Sequence, residues 1–422
     1  MSITRREVLR ATALGLAASA CGGSKSATTP ESVTPPPPKK KILILGGTSF
    51  LGPATIAAAV ARGHEITTFN RGKREKFRPL AIDVEHLYGN RDPELPADDE
   101  KGPDGKLVNP DAKPKGLEQL VGRQWDVVID NSGFYPRMVK ASAELLVKNA
   151  SQYIYISSIS AYDGAPPAGG DETYKTATLA DPTVETMGDQ FQNYGGLKRL
   201  CEQAAEAVFG DRATIVRPGF IVGPGDPTDR FTYWPVRAAN GGDMLAPGTP
   251  SDPLQWIDVR DLGEWLVTLA ENGTGGTFNG VGPTQPARWG DVLQGCLEAA
   301  PGAKLHWVPA DWLEKNGVGE EGFPIWVAPT GDMAGFHRWS NARAVAAGLT
   351  YRPLEDTLQA LLAWWPEEQK KRIAITAKQI EELTAKGKVP PPQKSPPDAL
   401  RAGPSMETEA ELLAKWRAST GR

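Results

Sequence analysis

The stretch Lys41-Ile42-Leu43-Ile44-Leu45-Gly46-Gly47-Thr48-Ser49-Phe50-Leu51-Gly52 decides how this chain is read. Residues 41–45 are an almost continuous apolar run, the pattern of a strand buried on both faces. A glycine turn follows at once, then a helix pattern through Ala61, then a second strand over 65–69. Strand, glycine turn, helix and strand make a βαβ unit. Glycines in such a turn let the backbone approach a pyrophosphate. The helix N-terminus, with free N–H groups and a positive dipole end, holds the anion. Gly46, Thr48, Ser49, Phe50, Leu51 and Gly52 are therefore candidate cofactor-binding residues. A tight strand-to-helix connection without a ligand is the plainer alternative.

The pattern repeats downstream. Strands are expected at 84–88, 126–130 and 152–157, and an amphipathic helix at 138–149. Residues 92–115 are polar and read as a long surface loop. Alternating strands and helices imply an α/β fold with a doubly wound parallel sheet of the Rossmann kind and a smaller C-terminal substrate-binding region. The second strand ends in Asn70-Arg71-Gly72-Lys73-Arg74. An acid in this turn would accept from a ribose 2′-hydroxyl. None stands among these five residues, and their cations could pair with a 2′-phosphate. Asn70 and Arg71 are thus expected at the adenosine ribose, and the NAD(P) reading leans to NADP. A solvated basic turn is the alternative.

Tyr194-Gly195-Gly196-Leu197-Lys198 opens a helix expected to run to Phe209. Residues four apart share a helical face, so Tyr194 and Lys198 point at one site. A phenol is a poor base at neutral pH. A neighbouring ammonium favours the phenolate, and Tyr194 could then exchange a proton with a substrate oxygen. Ser158, at the end of the fifth strand, is placed as a second donor.

These motifs resemble those of the extended short-chain dehydrogenase/reductase superfamily and its NAD-dependent epimerase/dehydratase family. GxxSxxG at 46–52 is similar to the family's GxxGxxG, with Ser49 replacing a glycine. Residues 155–162 resemble its SSxxxY strand end, which selects Ser158, and 194–202 its YGxxKxxxE. Arg217-Pro218-Gly219-Phe220-Ile221-Val222-Gly223-Pro224 resembles its RPxxxxGP turn, which implies that Pro218 lies beside the nicotinamide. Residues 256–262 resemble a later block read as structural. The resemblance covers about 41–365. It implies a Ser158–Tyr194–Lys198 catalytic set, a Lys198 contact to the nicotinamide ribose, and a homodimer paired through helices near this segment. It also implies redox chemistry on a sugar or sugar derivative, with transient hydride transfer on a tightly bound cofactor. An NADPH-dependent ketone or aldehyde reductase remains open, as does a non-catalytic binding protein. Divergent relatives include chloroplast stem-loop RNA-binding proteins with a similar glycine turn.

Composition narrows the partners. Lys and Arg number 47 against 51 Asp and Glu, a net charge of −4 that opposes a nucleic-acid partner. The cysteines are Cys21, Cys201 and Cys296; they form no CxxC pair, and the histidines lack metal-ligand spacing, so no metal is expected. At the N-terminus, Arg5-Arg6 precede a short apolar run over 11–20 and then Cys21. The run is too short to span a bilayer. It resembles a twin-arginine export signal ending in a lipobox, with Cys21 as the acylated membrane anchor. A disordered basic tail is the alternative. The expected organisation is a signal over 1–21, a Ser/Thr/Pro-rich linker over 22–40, a Rossmann domain over 41–225, a substrate-binding part over 226–365 and a charged helical tail over 366–422. Export would place the protein on the periplasmic or cell-surface side. Arg230, Trp234, Trp326, Arg338 and Trp339 are candidate substrate contacts, with tryptophans in the core the alternative.

Overall fold

Ile42 and Ile44 pack into one apolar cluster, Leu43 and Leu45 into another, and all four are fully buried. That alternation makes this strand the centre of a sheet covered on both sides. The computed structural model describes residues 38–92, 116–319, 322–393 and 395–421. Arg5, Arg6, Cys21, most of the linker and nearly all of the 92–115 loop lie outside the described residues.

In chain order the elements are β1 (Lys41–Leu45), α1 (Leu51–Ala61), β2 (Glu65–Asn70), β3 (Glu85–Tyr88), β4 (Trp125–Asp130), α2 (Pro136–Leu146), β5 (Ala150–Ile156), α3 (Tyr194–Phe209), β6 (Ala213–Pro218) and β7 (Ile221–Val222). There follow α4 (Tyr233–Ala239), β8 (Gly242–Pro247), β9 (Pro253–Asp258), α5 (Val259–Asn272), β10 (Gly276–Gly280), β11 (Gly282–Arg288) and α6 (Trp289–Ala299). The chain closes with β12 (Ala303–Val308), α7 (Ala310–Lys315), α8 (Ala342–Ala346), α9 (Leu354–Ala385) and α10 (Met406–Thr420). Seven strands form a parallel sheet in the order β10-β6-β5-β4-β1-β2-β3. One core joins the sheet to α1 and α5, the other to α2 and α3. A third core, built on Trp234, Trp256, Trp289 and Trp326, fills the C-terminal half.

Four sequence-based boundaries need correction. The Rossmann unit does not end at 225, because β10 returns to pair with β6 and α5 packs against α1. The second strand runs one residue further, to Asn70, and α2 ends at Leu146 because β5 begins at Ala150. The tail does not begin at 366 either. Pro366 lies inside α9, although an interior proline forfeits a helical hydrogen bond. Anchors on both sides hold the helix through it, with Leu358, Leu361 and Trp365 buried before and Glu368 and Arg372 after. α10 is also part of the body. Leu412 and Leu413 enter the third core, and buried Glu409 pairs with Arg237 at 2.5 Å.

His337 shows how tightly the C-terminal half is closed. Its Nδ1 accepts from the Gln255 N–H at 3.1 Å and its Nε2 faces the Ile325 carbonyl at 3.0 Å, an arrangement suited to the neutral ring. Burial pulls its pKa from 6.5 down to about 4. The unfolded chain therefore takes a proton that the folded chain refuses. Stability from this group is complete above about pH 6.5 and is lost as pH falls towards about 4, to a total of about 3 kcal/mol. Urea unfolding at roughly pH 7 and about pH 4.5 should show wild type losing about 2–3 kcal/mol more than His337→Gln. Equal losses would refute this account of the site.

Candidate active site

The order of the large sheet reverses between β1 and β4, and ligands of open α/β sheets bind outside the strand ends at such a point. A cleft of about 970 Å³ opens there. It is lined by residues that leave successive strands: Gly46 after β1, Asn70 at the end of β2, Asn131 after β4, Ser157 after β5 and Pro218 at the end of β6. Thr48, Ser49, Phe50, Leu51, Arg71, Ser158, Tyr194 and Lys198 share the same wall. The cleft thus gathers every sequence-derived catalytic and cofactor-binding residue except Gly52, which acts from behind. A Cβ on Gly52 would overlap the Gly47 backbone, so only glycine lets α1 pack on the turn. Helix α1 starts after Phe50 with no side-chain cap and no acid in its first turn. Of its first three residues, Gly52 donates to the Ser49 carbonyl at 2.9 Å and Pro53 has no N–H, so the Leu51 N–H and the positive end of the helix dipole face an anion.

The cleft carries polar groups in want of partners. Both polar side-chain atoms of Asn131 are buried without a hydrogen-bond partner among the described residues, as are Asn70 Nδ2 and Glu75 Oε1. Such groups are costly to leave unpaired. With the glycine cradle, they fit a dinucleotide. Arg71, Lys73 and Arg74 line the cleft beside Asn70, and Glu75 lines it too. Glu75 stands one residue beyond the Asn70–Arg74 stretch, and the turn at 74–78 folds it back onto the cleft.

Tyr194 and Lys198 lie one helical turn apart at the start of α3, and Ser158 faces them from the loop after β5. The Ser158 hydroxyl interacts with the Tyr194 phenol and favours its ionised form, and it also accepts from the Ser160 N–H at 3.1 Å. Two further glycines explain this approach. A Cβ on Gly195 would overlap the Ser160 carbonyl oxygen, and one on Gly196 would run into Leu179. Lys198 is buried, and its Nζ donates to the Ile156 carbonyl at 2.7 Å and the Gly133 carbonyl at 3.1 Å. It also sits 4.4 Å above the Tyr155 ring. Burial lowers its pKa to about 8.

One expectation fails here. Tyr194 is not brought down by Lys198: burial raises its pKa, against which work the Ser158 hydrogen bond and the Arg230 guanidinium. Arg230 stacks 4.9 Å over Phe220 and donates to Thr228 Oγ1 at 3.0 Å. Of the five candidate substrate contacts, Arg230 alone lines the cleft. Trp234, Trp326 and Trp339 are core residues, bonded to Pro324 O, bonded to Asp252 and stacked on Tyr162 respectively. Arg338 is exposed.

Sequence reasoning missed the supports. Asp226 is buried in the cleft wall, with Oδ1 held by the Thr228 N–H and hydroxyl and Oδ2 without a partner among the described residues. Arg91 reaches across from the end of β3 to pair with fully buried Asp130, which also accepts from Tyr153 and from the Ser132 N–H. Neither has a local motif; each is recognisable only once the strands are side by side. Gly195→Ala should leave the circular dichroism spectrum unchanged but push the Ser158 loop away from Tyr194. A shift of about 1 Å costs on the order of a hundredfold in rate, so a variant with normal turnover would contradict the close approach.

Against known proteins, the model of the NAD dependent epimerase/dehydratase family matches residues 42–280. No curated protein matches the chain. Among solved structures, a UDP-glucuronic acid 4-epimerase from Bacillus cereus in complex with NAD is similar at 14% identity and a TM-score of 0.53, over 79% of this chain and 99% of that one. The Bordetella bronchiseptica enzyme WbmH in complex with NAD+ gives 14% and 0.53, over 78% and 99%. The NAD dependent NDP-hexosamine 5,6-dehydratase TunA gives 17% and 0.53, over 78% and 98%. The family match spans more than half of the chain and the cleft carries the glycine cradle such enzymes need: the chain belongs to the NAD dependent epimerase/dehydratase family.

Proposed function

We propose that the chain converts a sugar nucleotide or related sugar derivative by epimerisation or dehydration, without net redox change, on one retained cofactor. The observation that carries this reading is the convergence of Ser158, Tyr194 and Lys198 on a cleft whose other end holds the glycine cradle. A bound nicotinamide supplies the hydride acceptor and, in the reverse direction, the hydride donor. Tyr194 exchanges the proton of the substrate hydroxyl, while Ser158 donates to the same oxygen. Lys198 spends two ammonium hydrogens on backbone carbonyls and has a third for the cofactor ribose. Gly46 through Gly52 hold the pyrophosphate, Asn70 and Arg71 the adenosine ribose, and Pro218 flanks the nicotinamide. The free oxygen of Asp226 asks for a donor, and Arg230 beside Tyr194 asks for an acceptor. A polyol bearing acidic or hydroxyl oxygens meets both, as do the sugar-nucleotide substrates named for the epimerase and dehydratase above.

The cofactor reading stays with NADP, on the strength of Arg71, Lys73 and Arg74. Glu75 gives NAD its own specific support, since a carboxylate there can accept from the ribose 2′-hydroxyl. Export through Arg5 and Arg6, with a lipid anchor at Cys21, remains part of the proposal. It accords with a closed hydride cycle, which needs no external pool of nucleotide.

A panel of nucleoside diphosphate sugars followed by NMR should yield an epimer or a dehydrated product with no change in free NAD(P)H. Tyr194→Phe should lose roughly 10² to 10⁴ in turnover while keeping its fold. Near-normal turnover in that variant, or steady consumption of free NADPH with a simple ketone, would overturn the reading. Arg71→Asp should cost NADP about tenfold to a hundredfold in affinity, and Glu75→Gln should cost NAD more than NADP. Unchanged affinities would make both simple turn residues.

A further inference from the structure

The second half of α9 lies beyond the stretch matched by the family, yet it touches both rims of the cleft. On one rim, Arg71 to Glu75 line the adenosine end. The turn that follows is docked on α9 in three places. Arg78 donates to both oxygens of Glu368, at 2.8 and 2.6 Å. The Lys76 and Lys378 ammonium groups lie over the Phe77 ring, at 5.2 and 5.6 Å from its centre. Lys76 pairs with Glu382 at 2.6 Å. On the other rim, Asp226, Pro227, Thr228 and Arg230 line the substrate end. Asp229, in the middle of that segment, is fully buried and receives both terminal nitrogens of Arg372, at 2.7 and 2.6 Å. The segment after α9 adds to the same carboxylate. Arg401 donates its N–H to Asp229 and its guanidinium to the Pro227 carbonyl.

One bond closes the bridge. Arg372 Nε donates to Glu368 Oε1 at 2.8 Å. The result is a chain of alternating charge, Arg78–Glu368–Arg372–Asp229, running from the cofactor rim to the substrate rim across a single helix. Glu368, Arg372 and Asp229 are each at most 4% exposed. Each buried charge has its counter-charge, the condition under which such groups are tolerated. Removing Glu368 takes from Arg78 both of these carboxylate bonds and from Arg372 one of its two carboxylate partners.

We propose that this half of α9 is a clasp that joins the two rims and holds the nicotinamide dinucleotide in the cleft, with Glu368 and Arg372 as positioning residues. The inference rests on the cofactor reading above. An enzyme that oxidises and re-reduces on one cofactor has to keep it between turnovers. Two rims tied by buried ion pairs must part before a dinucleotide lying between them can leave. Loss of a buried, hydrogen-bonded charge pair appears chiefly in the dissociation rate.

The test uses the full chain with NADPH as the probe, its release followed by fluorescence against an excess of NADP+. Glu368→Gln should release NADPH about tenfold to a hundredfold faster, with little change in the association rate. Glu382→Gln breaks only the partly exposed outer contact, and should speed release by roughly twofold to fivefold. If Glu368→Gln fails to fold, Glu382→Gln decides alone, faster release supporting the clasp. Wild-type release rates in the folded variants, with only the melting temperature lowered, would overturn it and leave α9 a structural brace. A wild-type chain that binds neither NADPH nor NAD+ would instead overturn the cofactor reading itself, and the clasp with it.

Discussion

One buried carboxylate holds the catalytic end of the cleft together. Glu202 projects from α3 and is fully buried. It accepts from the Ser157 hydroxyl at 2.5 Å, from Arg217 at 2.8 and 2.6 Å, and from Arg199 at 2.9 Å. Ser157 directly follows β5 and precedes Ser158; Arg217 is the penultimate residue of β6 and precedes Pro218; α3 carries Tyr194 and Lys198. Three elements thus meet at one charge, and the groups facing substrate are their immediate neighbours. Truncating one partner of such a pair strands the other in a dry interior, at a cost of about 3–5 kcal/mol. The final glutamate of YGxxKxxxE is therefore the fastener of the site and not one of its reacting groups.

The same economy recurs around the cleft. Arg91 with Asp130 braces the loop that carries Asn131; Arg352, just before α9, donates to Asp261, while Thr357 in α9 and Arg260 in α5 both donate to Asp258. These are the residues of the block at 256–262 that sequence comparison treats as structural, and their contacts agree. The cleft itself keeps its unpaired polar atoms on Asn131, Asp226, Asn70 and Glu75. These atoms of the cleft wall are groups that a ligand can satisfy.

Much of this was legible in the sequence, where local patterns report local physics. The apolar run at 41–45, the glycine turn and the YxxxK spacing each describe neighbours in the chain, and each falls where expected. What stayed hidden depends on residues distant in sequence. Glu75 reaches the cleft only because a turn folds it back. The tryptophans at 234, 326 and 339 look like sugar platforms in one dimension and prove to be core in three. Pro366 looks like a boundary, but anchors on both sides of it carry the helix through. The four-residue spacing implies that Lys198 tunes Tyr194; its ammonium donates to the Ile156 and Gly133 carbonyls, and the charge that favours the phenolate comes from Arg230, far along the chain.

The central claim is that this fold keeps a nicotinamide dinucleotide as a resident part of its cleft. Mass spectrometry of the small molecules released when the purified, folded protein is denatured tests it most directly. The account predicts a nicotinamide dinucleotide in near-stoichiometric amount after purification without added nucleotide. Folded protein that releases none would contradict it.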